Sequence, residues 1–219
     1  MSENAGAQGH ETDVHFLRAV TDMAEHTEVM TGDAIYTDKG MKSVDKGTRV
    51  DSRLYDRLVM HKLRDPIDAN LITGDLVDVA SLVALARQQC EQVDLLHRMV
   101  ASIGDIERLL APLKSLLLPQ AIAFKLTVMR EQRSDLYHHS LQMTLVAIFL
   151  ALKNGWTERE CVPLATAALL HDVIEDGLAG EGAAFLVAGG HAVDDVGLHA
   201  PQRLVAQAQL VGAAMLEVV

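Results

Sequence analysis

The sequence predicts a mainly α protein in which an all-helical bundle follows a small N-terminal module of helix and strand. Of the 219 residues 49% are apolar but only 4% are aromatic, so the core is built largely from Ala, Leu and Val, a composition that favours helices. Apolar residues recur at helical spacing over most of the chain beyond Pro66. A clear β pattern is found only within residues 34–47.

The N-terminal α+β module is predicted over residues 13–70. Apolar side chains recur at helical spacing in residues 13–25 and predict a short amphipathic helix. Short strands are expected at residues 34–37 and 41–44, joined by a tight turn at Gly40, because glycine adopts the positive φ that such turns require. The pattern therefore predicts a β-hairpin close to the N-terminus.

The second predicted domain, residues 71–219, is all helical. A short helix capped by Asp51 or Ser52 precedes it and ends before Pro66, because the residue before a proline is disfavoured in a helix. The helices expected after that cover, in order, residues 73–100, 102–110, 119–130, 135–153, 157–171 and 201–219. The last of these ends in uncapped apolar residues, which predicts contact with a partner or a second copy and a domain that is incomplete at its C-terminus.

The acidic charge of the chain excludes non-specific binding of nucleic acid. There are 19 Lys and Arg against 30 Asp and Glu, a formal charge of −11. Such a balance repels the phosphate backbone of DNA or RNA. A substrate that bears phosphate is therefore expected to need a metal ion to be held.

Neither the cysteines nor the apolar segments indicate export or membrane insertion. Cys90 and Cys161 fall within apolar helical segments and are predicted to be reduced and structural, without a disulfide. Residues 1–12 are polar, lack the features of a signal peptide, and are predicted to form a disordered tail. The longest apolar stretch, residues 143–152, is too short to cross a bilayer. These features predict a cytoplasmic protein with no membrane segment.

Two sites stand out among the ten histidines. On the predicted helix 135–153, His139 shares a face with the apolar residues four, seven and eleven positions later, so its ring is expected to point into the core. Asp135 lies one turn earlier on the same face, where a carboxylate and an imidazole can bind one ion together. His138 aligns with a second set of apolar residues, so periodicity alone does not choose between the two histidines.

The second site is the pair His171 and Asp172, at the end of the helix predicted over residues 157–171. Small alanines on the His171 face allow another helix to approach closely. Glu175 and Asp176 follow within one turn, so three carboxylates surround one imidazole. Like charges this close are unfavourable without a cation and favourable with a divalent one, which predicts a metal site.

A longer run of residues joins the two histidine sites. It comprises His139, the long apolar helix after it, the capping box Thr157-Glu-Arg-Glu160, and Ala167-Ala-Leu-Leu-His-Asp172. This run resembles the HD superfamily of metal-dependent phosphohydrolases. It is most similar to the HD-GYP branch, whose members typically hydrolyse cyclic di-GMP. Two spacings carry this similarity: His139 precedes the His-Asp doublet by 32 residues, and Asp135 lies four positions before His139. The β-containing stretch at residues 33–69 is also similar to a region that often precedes HD-GYP domains.

The chain departs from the HD-GYP pattern at several positions. Glu175 stands where that branch has a lysine after the doublet. The Glu-Asp pair at this position is closer to the alarmone hydrolases of the stringent response. Gln207-Ala-Gln209 stands where another ligand histidine is normally found, and the His-His and Gly-Tyr-Pro signatures that follow in that branch are absent. The candidates for the trailing aspartate of the general HD motif are Asp194 and Asp195.

The resemblance implies a metal-dependent phosphohydrolase, a phosphodiesterase related to cyclic di-GMP hydrolases, with a phosphate ester or cyclic dinucleotide as substrate. It implies one or two divalent ions, Mn, Fe or Mg, with mixed histidine and carboxylate ligation. The implied metal ligands are Asp135, His139, His171 and Asp172, and the implied catalytic residues are Asp172, Glu175 and Asp176. The alternative is a degenerate HD domain that acts as a non-catalytic signalling or interaction module, because a fold does not imply a function.

Overall fold

Helices account for most of the described chain, and short strands lie close to its N-terminus. The computed structural model describes residues 16–60, 63–65 and 67–175. Within these ranges it confirms the predicted fold class, mainly α with a small N-terminal α+β part. Several predictions fall outside the described residues: the tail at 1–12, the helix at 201–219, and the roles of Asp176, Asp194 and Asp195.

The N-terminal part contains the predicted amphipathic helix and the predicted hairpin. Residues 16–24 form helix α1. The strands are β1 (Val29–Thr31), β2 (Ile35–Tyr36), β3 (Lys42–Val44) and β4 (Leu71–Thr73). Strands β2 and β3 pair antiparallel, and Gly40 lies in the turn between them with a φ of +75°. The hairpin is therefore confirmed.

Strands β1 and β4 form a second antiparallel pair that the sequence did not predict. Val29 pairs with Thr73, so the expectation of a helix that starts at Thr73 is wrong. Each strand has only three residues, which is too few for an alternating pattern to be recognised. The partners also lie far apart along the chain, so no local turn signal connects them.

Seven helices follow α1 in the described residues. They are α2 (Ser52–Val59), α3 (Val79–Gln92), α4 (Asp94–Ile103), α5 (Ile106–Lys114), α6 (Gln120–Gln132), α7 (Ser134–Lys153) and α8 (Cys161–Glu175). Helix α2 begins at the predicted cap, where the Asp51 carboxylate accepts a hydrogen bond from the Leu54 amide at 2.8 Å. No helix in the described ranges has both the length and the apolar character that a membrane span needs.

The long helix expected over residues 73–100 is in fact two helices. Helix α3 starts after Asp78, which forms a capping box with Ser81. Val93 then adopts an extended conformation, with φ of −97° and ψ of 113°, and separates α3 from α4. Apolar residues keep their helical spacing across this break, so periodicity did not reveal it. Helix α5 also continues through Pro112, before which the expected helix ended.

The chain divides into two compact units. The first unit contains the described residues up to Val77, then Leu118–Tyr137 and the end of α8 from Val173. The second unit contains Asp78–Leu117 and His138–Asp172. In the first unit α6 packs against β4 and against the short 3₁₀ helix Ile67–Asn70. In the second unit α3, α4 and α5 pack on one another. The domain boundary placed after residue 70 stays a prediction.

The two cysteines are expected to react slowly in the folded protein. Cys90 and Cys161 are free thiols, 2% and 0% exposed. Burial raises the pKa of both thiols, that of Cys161 to about 11, so the reactive thiolate is scarce near neutral pH.

Cys161 should react with dithionitrobenzoate about 100-fold more slowly in the native protein than in urea, as followed by absorbance. Equal rates in the two states would contradict this burial.

Candidate metal centre

Three of the residues predicted to bind a metal lie close together. His139, His171 and Asp172 each offer one ligand atom, and these atoms all lie within 4.8 Å of one another. The ring centroids of His139 and His171 are 6.0 Å apart, with the ring planes tilted by 54°. All three residues belong to the same compact unit. The described structure therefore brings together two imidazoles and one carboxylate from α7 and α8.

Local sequence signals set the two helices that carry these residues. Helix α7 ends near Gly155, which has a φ of +86°. Thr157 and Glu160 then form the predicted capping box: the Glu160 carboxylate accepts from the Thr157 amide at 2.8 Å, and the Thr157 hydroxyl accepts from the Glu160 amide at 3.3 Å. Helix α8 starts immediately after this box and places His171 and Asp172 in its last turns.

The carboxylate of Asp172 is anchored by a residue that the sequence did not single out. The Ser140 hydroxyl on α7 donates a hydrogen bond of 2.7 Å to Asp172 Oδ2. Ser140 is fully buried, and the Asp172 side chain is only 12% exposed. No signal in the sequence indicated this bond, because a buried hydroxyl in a helix can instead donate to a carbonyl oxygen one turn earlier, as Thr144 does.

The ring of His171 is held in one orientation by its own helix. Its Nδ1 atom lies 2.7 Å from the carbonyl oxygen of Ala168, which can only accept, so Nδ1 carries a hydrogen. The other nitrogen, Nε2, lies 3.1 Å from Asp172 Oδ1. An imidazole lone pair and a carboxylate oxygen attract each other only when they share a cation. The geometry therefore calls for either a proton on Nε2 or a metal ion beside it.

The prediction that the His139 ring points into the core is wrong, because His139 is exposed. The buried stripe of α7 consists of Tyr137, Ser140, Leu141, Thr144, Leu145, Ala147, Ile148, Ala151 and Leu152. The residues expected to share the core with His139, namely Met143, Val146 and Leu150, are only half-buried. His139 therefore lies on the flank of the packed face, where an imidazole can reach His171 and still meet solvent.

The remaining predicted site residues are not part of this group of three. Asp135 is exposed on α7, one turn before His139, and its role as an accessory ligand stays a prediction. Glu175 is the last residue of α8, and its catalytic role also stays a prediction. Asp176, Asp194 and Asp195 lie outside the described residues.

Comparisons with protein-family models, with curated proteins and with solved structures find no match to this chain. The HD resemblance is therefore carried only by the residues quoted above. The geometry of His139, His171 and Asp172 provides a separate basis for inference.

Removing the Ser140 hydroxyl is expected to destabilise the protein. In Ser140→Ala the Asp172 carboxylate loses a donor in a site with little water, and hydrogen bonds to charged groups contribute about 2 kcal/mol. Urea unfolding followed by circular dichroism should show that the free energy of unfolding falls by about that amount.

Thr144→Val is the matched control for this variant. The Thr144 hydroxyl is equally buried on α7 but donates to the Ser140 carbonyl oxygen and does not bond Asp172. Its removal should cost less than about 1 kcal/mol. An equal loss of unfolding free energy in the two variants would show that the bond to Asp172 stabilises the protein no more than the bond within α7.

Proposed function

We propose that this chain is a metal-dependent phosphohydrolase of the HD type, with His139, His171 and Asp172 as ligands of a divalent cation. The observation that carries the proposal is the convergence of their three ligand atoms within 4.8 Å. The residues occur in the order and at the spacing that the HD resemblance implies. The argument from the motif and the argument from geometry therefore share three residues, and Asp135 comes from the motif alone.

The donor set is compatible with a divalent ion such as Mn or Fe, and the resemblance implies Mn, Fe or Mg, as one ion or two. Two imidazole nitrogens and a carboxylate oxygen are borderline and hard ligands, and no thiolate is among them. Ala168 orients the His171 ring and Ser140 orients the Asp172 carboxylate, as the partners of metal ligands commonly do. When bound, a divalent cation lowers the pKa of water and neutralises the negative charge that develops on a phosphoryl group.

The protein residues would position the substrate and control its access. His139 is exposed and His171 is partly exposed, so a phosphate ester can approach the centre from solvent. The net charge of −11 disfavours a free phosphate dianion, which makes the cation the natural anchor for such a substrate. We assign the transfer of a proton to Glu175 or Asp176, and we take a cyclic dinucleotide as the substrate from the HD-GYP resemblance.

The second candidate function is a degenerate HD domain that acts as a non-catalytic signalling or interaction module. The contact between His171 Nε2 and Asp172 Oδ1 at 3.1 Å favours it, because a single proton would satisfy both atoms. Such a site would retain its geometry as a histidine–aspartate ion pair. Binding and turnover separate the two candidates.

Metal binding is expected to depend on His171. Purified protein in equilibrium dialysis against Mn²⁺ should bind at least one ion per chain, measured by mass spectrometry, and the affinity of His171→Ala for Mn²⁺ should be at least about 100-fold lower. His97→Ala is the control, because His97 is an exposed histidine on α4. A wild-type protein that gains neither Mn²⁺ nor Fe²⁺ would rule out the metal centre.

Hydrolysis of a phosphodiester is expected to require the Asp172 charge. With Mn²⁺ present, bis(p-nitrophenyl) phosphate and cyclic di-GMP should be hydrolysed by the wild type and by the surface control Asp94→Asn, but about 100-fold more slowly by Asp172→Asn. Asn keeps the shape of the side chain and removes its charge. Metal binding together with equal, negligible rates in all three proteins would favour the non-catalytic module.

A further inference from the structure

Gln89 is a buried residue with an unpaired polar atom. Only 4% of Gln89 is exposed, and it lies on the packed side of α3. Its Oε1 atom has no hydrogen-bond partner among the described residues. A buried carbonyl without a partner is destabilising, so an apolar side chain of the same size would pack here at lower cost. The presence of glutamine must therefore be explained by the contacts of its amide nitrogen.

The nitrogen of the same amide contacts α7 at His138. Gln89 Nε2 lies 3.3 Å from His138 Nδ1 and 3.5 Å from the His138 carbonyl oxygen. The carbonyl oxygen can only accept, so the amide nitrogen faces it and the second amide hydrogen points to Nδ1. Nδ1 is the acceptor in this arrangement, and a neutral ring that accepts at Nδ1 carries its hydrogen on Nε2. One side chain thus holds both the ring and the backbone of His138.

His138 directly precedes His139, the most exposed of the three ligands. His139 lies on the flank of the buried stripe of α7, so packing restrains it less than it restrains Ser140. Helix α3, which carries Gln89, packs against α4 and α5 in the same compact unit. Gln89 therefore connects a well-packed helix to the part of α7 that presents His139.

We propose that Gln89 is a positioning residue of the metal centre: it binds His138 to α3 and thereby keeps His139 within reach of His171 and Asp172. The inference rests on the proposed function, because it concerns a site that binds a metal ion. It also explains the unpaired Oε1 atom. The amide is present for its nitrogen, and the oxygen is left without a partner as a consequence.

Gln89→Met separates this role from a merely structural one. Methionine has a similar length, removes both hydrogen bonds to His138 and removes the unpaired oxygen. The midpoint of urea unfolding should stay the same or rise, whereas the Kd for Mn²⁺, measured by electron paramagnetic resonance, should rise about 10-fold. A merely structural residue would lower stability and affinity together.

Gln88→Met is the matched control for this variant. Gln88 is the preceding residue of α3, is exposed, and its side chain donates a hydrogen bond to Gln92 at 3.4 Å. Its Kd for Mn²⁺ should equal that of the wild type. A second readout needs no metal: imidazole ¹⁵N shifts should show His138 with its hydrogen on Nε2 in the wild type and a mixture of tautomers in Gln89→Met.

The outcomes distinguish this inference from the proposed function. If the wild type binds Mn²⁺ and Gln89→Met binds it equally well, the positioning role is overturned and the metal centre stands. A loss of affinity that accompanies an equal loss of stability also overturns the role, since Gln89 would then be structural. If the wild type binds no Mn²⁺, the proposed function fails and this inference fails with it.

Discussion

The charge of Asp172 is the constraint on which the arrangement of the site depends. Its side chain is only 12% exposed, and a carboxylate this poorly solvated is stable only with strong partners. Ser140 supplies a hydrogen bond to one oxygen, and His171 lies beside the other. Ala168 in turn fixes the ring of His171. The side-chain contacts between α7 and α8 at this point thus follow from the need to compensate one negative charge.

The same constraint makes a proton and a metal ion competitors for one position. His171 Nε2 and Asp172 Oδ1 would hold either one, and binding of a metal would require Nε2 to be free of its proton. The enzyme and the non-catalytic module therefore do not differ in fold or in the placement of their side chains. They differ in turnover, and a site that holds only a proton could not support the metal-dependent reaction. The imidazole of His139 is the observation that supports the proposed metal ion, because a proton shared by His171 and Asp172 would not need a third ligand.

The sequence was informative where the structure is determined locally. The caps at Asp51 and at Thr157 with Glu160 act over three residues, so both could be predicted from spacing alone. The pairing of Val29 with Thr73 could not, because it joins short segments that lie far apart along the chain. Among the site residues, His139, His171 and Asp172 could be predicted from the motif. Ser140 and Gln89 could not, because their importance comes from contacts with other helices. The exposure of His139 was missed because periodicity indicates a face of a helix but not how far the packed stripe extends around it.

The position of His139 on the flank of α7 also has a kinetic consequence. In the proposed centre, the solvent-facing ring of His139 could rotate away without disturbing the packed stripe, and that movement would give an ion a route in and out. An ion held in a centre with one such open side would exchange more quickly than an ion enclosed by the core. Its occupancy then follows the concentration of free metal around the protein. The chain would gain and lose its ion with supply, and any activity that depends on the ion would report that supply.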